Sequence, residues 1–97
     1  MMDRLTSMGA FVMAAESGSY ASAAERLGLS PQMVAKHVAA LEQRLGARLL
    51  NRTTRRQSLT ELGSAYYERC KHILSEAQAA DSLAQIMNDT PRGKLKI

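Results

Sequence analysis

Tryptophan is absent from this chain, phenylalanine occurs once and tyrosine three times. Sandwiches and barrels of β-sheet draw their cores from aromatic and β-branched side chains. A core supplied by Leu, Ala, Val and Met favours helices instead. Cysteine occurs once, as Cys70. A lone thiol forms no internal disulfide and no metal cluster, so a reducing, cytoplasmic setting is the expectation. No apolar run approaches the ~20 residues that span a bilayer, which argues against a membrane partner. The opening "MMDRLTSMG" has neither the basic start nor the apolar centre of a secretory signal. Catalytic signatures are missing too: there is no phosphate-cradling glycine loop and no HExxH pair, and neither of the two histidines stands with a carboxylate in a recognisable motif. An enzyme is the least favoured class, and neither metal nor another cofactor is expected in this chain.

What is present suffices for one small domain. Of 97 residues, 45% are hydrophobic and 23% charged, which favours a packed core over disorder. The formal charge of +4 is concentrated. Residues 1–29 carry two basic and three acidic groups, and residues 59–97 carry five of each. Residues 30–58 set Lys36, Arg44, Arg48, Arg52, Arg55 and Arg56 against Glu42 alone, a local +5. A concentrated basic segment fits a polyanion, although standing alone it is better read as a solvated face.

Leu5, Met8, Val12 and Ala15, with Phe11 beside them, predict the inner face of a first helix over residues 3–16, with Asp3 at its positive end and Gly18 past its last turn. Residues 19–45, "SYASAAERLGLSPQMVAKHVAALEQRL", then read as two short helices joined by a tight turn. Ser19 caps the first, whose Tyr20, Ala23, Ala24 and Leu27 share a face; the small alanines allow a neighbouring backbone to come close. Gly28 stops it and Leu29 anchors the turn. Ser30 and Pro31 open the second, a hydroxyl cap followed by proline at the first helical position. At about 100° per residue, Val34, Val38, Leu41 and Leu45 point inward, while Gln32, Lys36, Ala39, Ala40 and Gln43 point outward. This is the layout of a helix-turn-helix, whose second helix enters a DNA groove. Gln pairs well with adenine and Lys with guanine in the major groove. Taken singly, both are ordinary solvent-facing residues. The capped pair of helices makes them a reading face.

Gly46 ends the helix, and "ARLLNRTTRRQSLT" predicts a β-hairpin wing over about residues 48–59, anchored by Leu49, Leu50 and Leu59. Its tip, Thr53, Thr54, Arg55 and Arg56, offers hydroxyl and guanidinium groups of the kind that hold phosphates or enter a narrow minor groove. Thr60 then caps a long helix. Tyr66, Cys70, Ile73, Ala77, Ala80, Ala84 and Met87 recur at alternating steps of four and three. Three heptads of such a seam imply a partner helix along a rod of about 40 Å. His72 points away from the seam, and Cys70 reads as a small buried hydrophobe rather than a nucleophile. Residues 88–93, "NDTPRG", break the helix, and "KLKI" alternates as a strand does. A linker leading into the first strand of a following domain is the expectation.

The residues that carry a family resemblance lie between 11 and 63: Gly18-Ser19-Tyr20, Ala23-Ala24, Leu41-Glu42 with Leu45-Gly46, and Arg52-Thr53 ahead of Leu59-Thr60. In these spaced motifs the chain resembles the N-terminal part of LysR-type transcriptional regulators. The resemblance implies a mostly α-helical fold with a small β-wing. Residues 1–60 would be a winged helix-turn-helix, with the helix-turn-helix at about 20–39. Residues 61–89 would be a linker helix that pairs two subunits, and residues 90–97 a hinge into an effector-binding domain. It further implies a homodimer or tetramer on double-stranded promoter DNA, and a small-molecule inducer bound outside this chain. Gln32, Met33, Ala35 and Lys36 then face the major groove. Ser19, Tyr20, Ser22, Ser30 and Pro31 approach phosphates from the helix starts, and Arg52, Thr53, Thr54 and Arg55 do so from the wing. The seam from Tyr66 to Met87 forms the dimer interface. The chain departs from the family at Ala35, where a serine is usual, and at Lys36, where arginine is. The competing class is a protein-interaction module built from the same winged helix and coiled coil without DNA readout, which a shift assay on mixed DNA separates.

Overall fold

The computed structural model describes residues 3–52 and 57–89, apart from the side chains of residues 52, 57 and 89. Four helices and a two-stranded hairpin follow in the order α1 (Arg4–Ser17), α2 (Tyr20–Leu27), α3 (Pro31–Leu45), β1 (Leu50–Arg52), β2 (Gln57–Leu59) and α4 (Glu61–Asp89). This is the mostly helical winged architecture that the sequence leads one to expect. The wing tip, Thr53, Thr54, Arg55 and Arg56, and the hinge and strand at 90–97 lie outside the described residues.

Local chemistry sets the helix ends. Asp3 accepts hydrogen bonds from the Thr6 backbone N–H at 3.0 Å and its hydroxyl at 2.9 Å. These bonds hold the Asp3 carboxyl below its ordinary value. Thr60 starts α4, its Oγ1 accepting from the Gly63 N–H at 2.8 Å. α1 lies at the centre, in contact with each of the other helices. One core gathers Met8, Phe11, Val38, Leu41, Leu49, Leu50 and Cys70; a second, of smaller residues, joins Ala10 and Ala14 to Ala23, Ala24 and Val34. The second holds no large side chain, so α2 can approach α1 closely. No helix among the described residues is long and apolar enough to cross a membrane.

Three expectations about faces are corrected. Leu5 is 43% exposed, because the buried arc of α1 runs through Ser7, Ala10, Phe11 and Ala14, with Met8 at its flank. Small residues weigh little in a hydrophobic pattern, yet they are what neighbouring helices close upon. Leu45 is 39% exposed: it is the last residue of α3 and lies a full turn beyond Leu41, the last buried position.

The third correction concerns the seam of α4. Cys70 is fully buried within this one chain, and Tyr66 packs beside it with its ring 5.8 Å from that of Phe11. The face of α4 that meets the core is Gly63, Tyr66, Tyr67, Cys70 and Leu74. Ile73, Ala80 and Ala84 are exposed, and Ala77 is half-buried. The predicted stripe is therefore divided: its first two members serve the domain's own core. The exposed apolar strip includes Leu62 and Leu83, which the heptad reading passes over. His72 is exposed, as expected.

Candidate nucleic-acid interface

The turn between α2 and α3 is made by its sequence. Ser19 Oγ accepts from the Ser22 N–H at 3.1 Å to begin α2. Gly28 ends it at φ 70°, a left-handed conformation that glycine adopts without steric cost. The Leu29 N–H closes on the Ala24 carbonyl at 3.0 Å, and its side chain packs on the small-residue core. Ser30 Oγ accepts from the Met33 N–H at 3.2 Å, and Pro31 takes the first helical position. Both cap hydroxyls use their oxygen as acceptor, which leaves the O–H of each to donate outward, as a phosphate contact requires.

With Val34, Val38 and Leu41 buried, α3 presents the opposite side to solvent. Gln32 and Lys36 are exposed, as are Ala39 and Gln43; Met33, Ala35 and Ala40 are half-buried along the flanks. Ser22, Ser30 and Pro31 are exposed, and Ser19 is half-buried. Tyr20 differs from this group, because its ring packs against both cores. Arg44 in the last turn of α3 and Arg48 just past it extend the exposed basic surface. Among the described residues the ion pair recorded is Lys71–Glu68 on α4, and no carboxylate there neutralises Lys36, Arg44 or Arg48.

The wing rests on contacts that sequence reasoning missed. Strands β1 and β2 pair antiparallel with Leu50 opposite Leu59, Asn51 opposite Ser58 and Arg52 opposite Gln57. The Glu42 carboxylate, on α3, accepts from the backbone N–H of Leu49 at 2.8 Å and of Leu50 at 3.3 Å. On the other side, the Thr60 hydroxyl donates to the Arg48 carbonyl at 2.7 Å, and the Thr60 N–H donates to the Leu49 carbonyl at 3.0 Å. Gly63 lies so close that a Cβ there would overlap the Leu49 carbonyl oxygen. The base of the wing is thus fastened to both α3 and α4. Glu42 was visible as the single acid in a basic segment and as part of the Leu41-Glu42 motif, signals that give no partner.

Two further contacts fix α4 and α3 on α1. The Tyr67 hydroxyl donates to Glu16 Oε2 at 2.7 Å, and the Lys71 ammonium lies 4.9 Å from the Tyr67 ring centre. The bond to the carboxylate raises the Tyr67 pKa, and burial raises those of Tyr66 and Cys70, the latter to about 11. A thiol so raised is a poor nucleophile at neutral pH. On the inner side of α3, His37 Nδ1 lies 2.8 Å from Ser7 Oγ in a buried contact. Sequence reasoning assigns His37 no role.

Known proteins share this arrangement. Residues 5–64 match the family described as "Bacterial regulatory helix-turn-helix protein, lysR family". An HTH-type transcriptional repressor of Pseudomonas aeruginosa (strain UCBPP-PA14) is 43% identical over 96 residues, which are 99% of this chain and 30% of that protein. The HTH-type transcriptional activator AaeR of Escherichia coli (strain K12) is 40% identical over 96 residues, 99% of this chain and 31% of its own length. The chain thus spans about a third of these relatives. Among solved structures, the DNA-binding domain of CbnR in its complex with DNA superposes with a TM-score of 0.80 at 32% identity, over 90% of this chain and 99% of that one.

Proposed function

The chain belongs to the lysR family of bacterial regulatory helix-turn-helix proteins, and on that premise we propose that it is the sequence-reading part of a DNA-binding transcriptional regulator. The observation that carries this is the outer side of α3: a helix capped for entry, with Gln32 and Lys36 exposed at its start and, among the described residues, no carboxylate paired with its cations. That such a domain has been solved on DNA, in CbnR, supports the same reading.

In this reading Gln32 and Lys36 address base edges in the major groove, with Met33 and Ala35 offering apolar contact to thymine methyls. Ser19, Ser22, Ser30 and Pro31 line the approach to the phosphates, and the Tyr20 hydroxyl joins them from a ring held in the core. Arg52, Thr53, Thr54 and Arg55 meet the flanking backbone or minor groove. Residues 1–60 act as the DNA-binding unit. Residues 61–89 form the linker helix along which two copies pair as a dimer, or assemble further into a tetramer, and residues 90–97 lead toward an effector domain. A small-molecule inducer acts there rather than here, and the protein works in the cytoplasm with the chromosome. One relative is named a repressor and another an activator, so the direction of regulation belongs to the remainder of the protein.

Selection of bound duplexes from a random library tests the proposal. A palindromic consensus is the expected result. Recovery of unselected sequence, or an affinity indifferent to salt, overturns it. With about six cations per subunit on phosphates, log K falls against log salt with a slope near −5. Replacing Lys36 by alanine is expected to cost about 1–3 kcal/mol on the selected duplex and to relax preference at one position.

A further inference from the structure

We propose that the buried Ser7–His37 pair sets the rotation and axial register of α3 on α1, making these two positioning residues for base discrimination; this rests on the DNA-reading function above. Ser7 and His37 are 2% and 5% exposed, and their side chains meet at 2.8 Å. The rest of the face that α3 turns to α1 is apolar, with Val34, Val38 and Leu41 packed into the two cores that α1 shares, while Glu42 bonds to the wing base on another side. Apolar contact is non-directional, so such a surface tolerates small rotations and slides at little cost. A hydrogen bond does not, because it weakens steeply outside a narrow range of distance and angle.

His37 follows Lys36 directly and lies about 1.4 turns on from Gln32, yet it faces inward and reaches no ligand itself. Leverage makes the register matter. A helix rotation of ~15° carries a side-chain tip ~6 Å from the axis through about 1.6 Å. That displacement exceeds the tolerance of a bidentate base contact but leaves a phosphate contact by a long cation intact. The pair therefore governs discrimination more than affinity at large. Either tautomer of His37 serves: the serine hydroxyl donates to a bare Nδ1 or accepts from Nδ1–H.

The test separates positioning from stability. Removing both partners of a buried hydrogen bond in favour of apolar groups of similar shape is close to neutral for folding. The double variant Ser7→Ala/His37→Leu of the full chain is compared with wild type in thermal melting, and in affinity for the duplex selected by wild type and for mixed-sequence duplex of equal length at one salt concentration. Expected are a melting temperature close to wild type, an unchanged affinity and salt slope on mixed DNA, and a roughly tenfold loss of discrimination. His37→Asn, which returns a polar atom near the Nδ1 position, recovers most of that loss. Native-like melting with undiminished discrimination overturns the proposal. If the double variant unfolds, Ser7→Ala measured well below its own melting temperature decides, since full discrimination without the hydroxyl equally overturns it. A wild-type chain that prefers no sequence removes the DNA-reading function itself, and this inference with it.

Discussion

The head of the molecule, from α1 to the base of the wing, and the outer half of α4 both carry large aliphatic side chains yet use them oppositely. In the head, Leu5 and Leu45 apart, the large apolar side chains described find covering neighbours: Phe11 and Leu49 are fully buried and Leu41 almost so. Along the outer half of α4, Leu83 is 58% exposed and Ile86 and Met87 more so. The transition occurs within one helix. Gly63, Tyr66, Tyr67, Cys70 and Leu74 turn toward α1, whereas Leu62, Ile73, Ala80 and Ala84 lie roughly a quarter-turn away at ~100° per residue. A single helix thus carries one face for its own domain and a different apolar face that stays exposed in the single chain.

The contrast can be broken most forcefully at Phe11. Phe11→Ala removes a fully buried ring against which Tyr66 rests and is expected to cost about 3–5 kcal/mol, read from denaturant unfolding. Gly63→Ala comes next. A methyl group there meets the Leu49 carbonyl, a backbone atom that cannot swing away, so α4 or the wing base must shift, at about 1–3 kcal/mol. Loss of wing protection in amide exchange would locate the shift.

A smaller effect depends on pH. The folded protein holds Cys70 protonated up to about 11, against an ordinary 9.0. The unfolded chain therefore releases its proton first as pH rises. The stability tied to this group is complete below pH 9.0 and declines from there through about 11. Tyr66 and Tyr67, raised above their ordinary 10.0, push the same way at higher pH. Cys70→Ala should flatten the first part of the decline, which unfolding midpoints at successive pH values would detect. Smallest in the dilute single chain is Leu83→Ala, at under about 0.5 kcal/mol, because the side chain covers nothing in its own domain. In concentrated solution the same substitution should weaken self-association in sedimentation. A fall in dilute-chain stability as large as that of Phe11→Ala would erase the distinction between the two regions.

Most of the boundaries were readable in advance. Asp3, Ser19, Ser30 and Thr60 cap helices through bonds to backbone three residues on, and Gly28 closes a helix from its own conformation. These interactions involve neighbours in the chain, so their signals survive in a linear string. Gln32 and Lys36 were legible as a solvent face for the same reason, being placed by helical period alone. The cap hydroxyls, the exposed side of α3 and the leucine anchors of the wing were found; its polar fastening was not. Glu42 reaches the Leu49 and Leu50 amides, and Thr60 reaches the Arg48 carbonyl. In each case a side chain meets backbone set by a turn whose path the sequence does not specify.

By itself, then, the sequence determined to within a residue or two where the helices begin and where the first three end, that the second and third form a capped pair, and that the basic charge gathers around them. Those features arise from propensities and bonds spanning three or four residues. Only the tertiary structure decided that Leu5 and Leu45 stay in solvent, that Cys70 belongs to the core of its own chain, and that His37 turns inward to Ser7 across thirty residues. Periodicity tells which side chains share a face of a helix. Which arc is covered, and by what, depends on the size and angle of the neighbours that pack there.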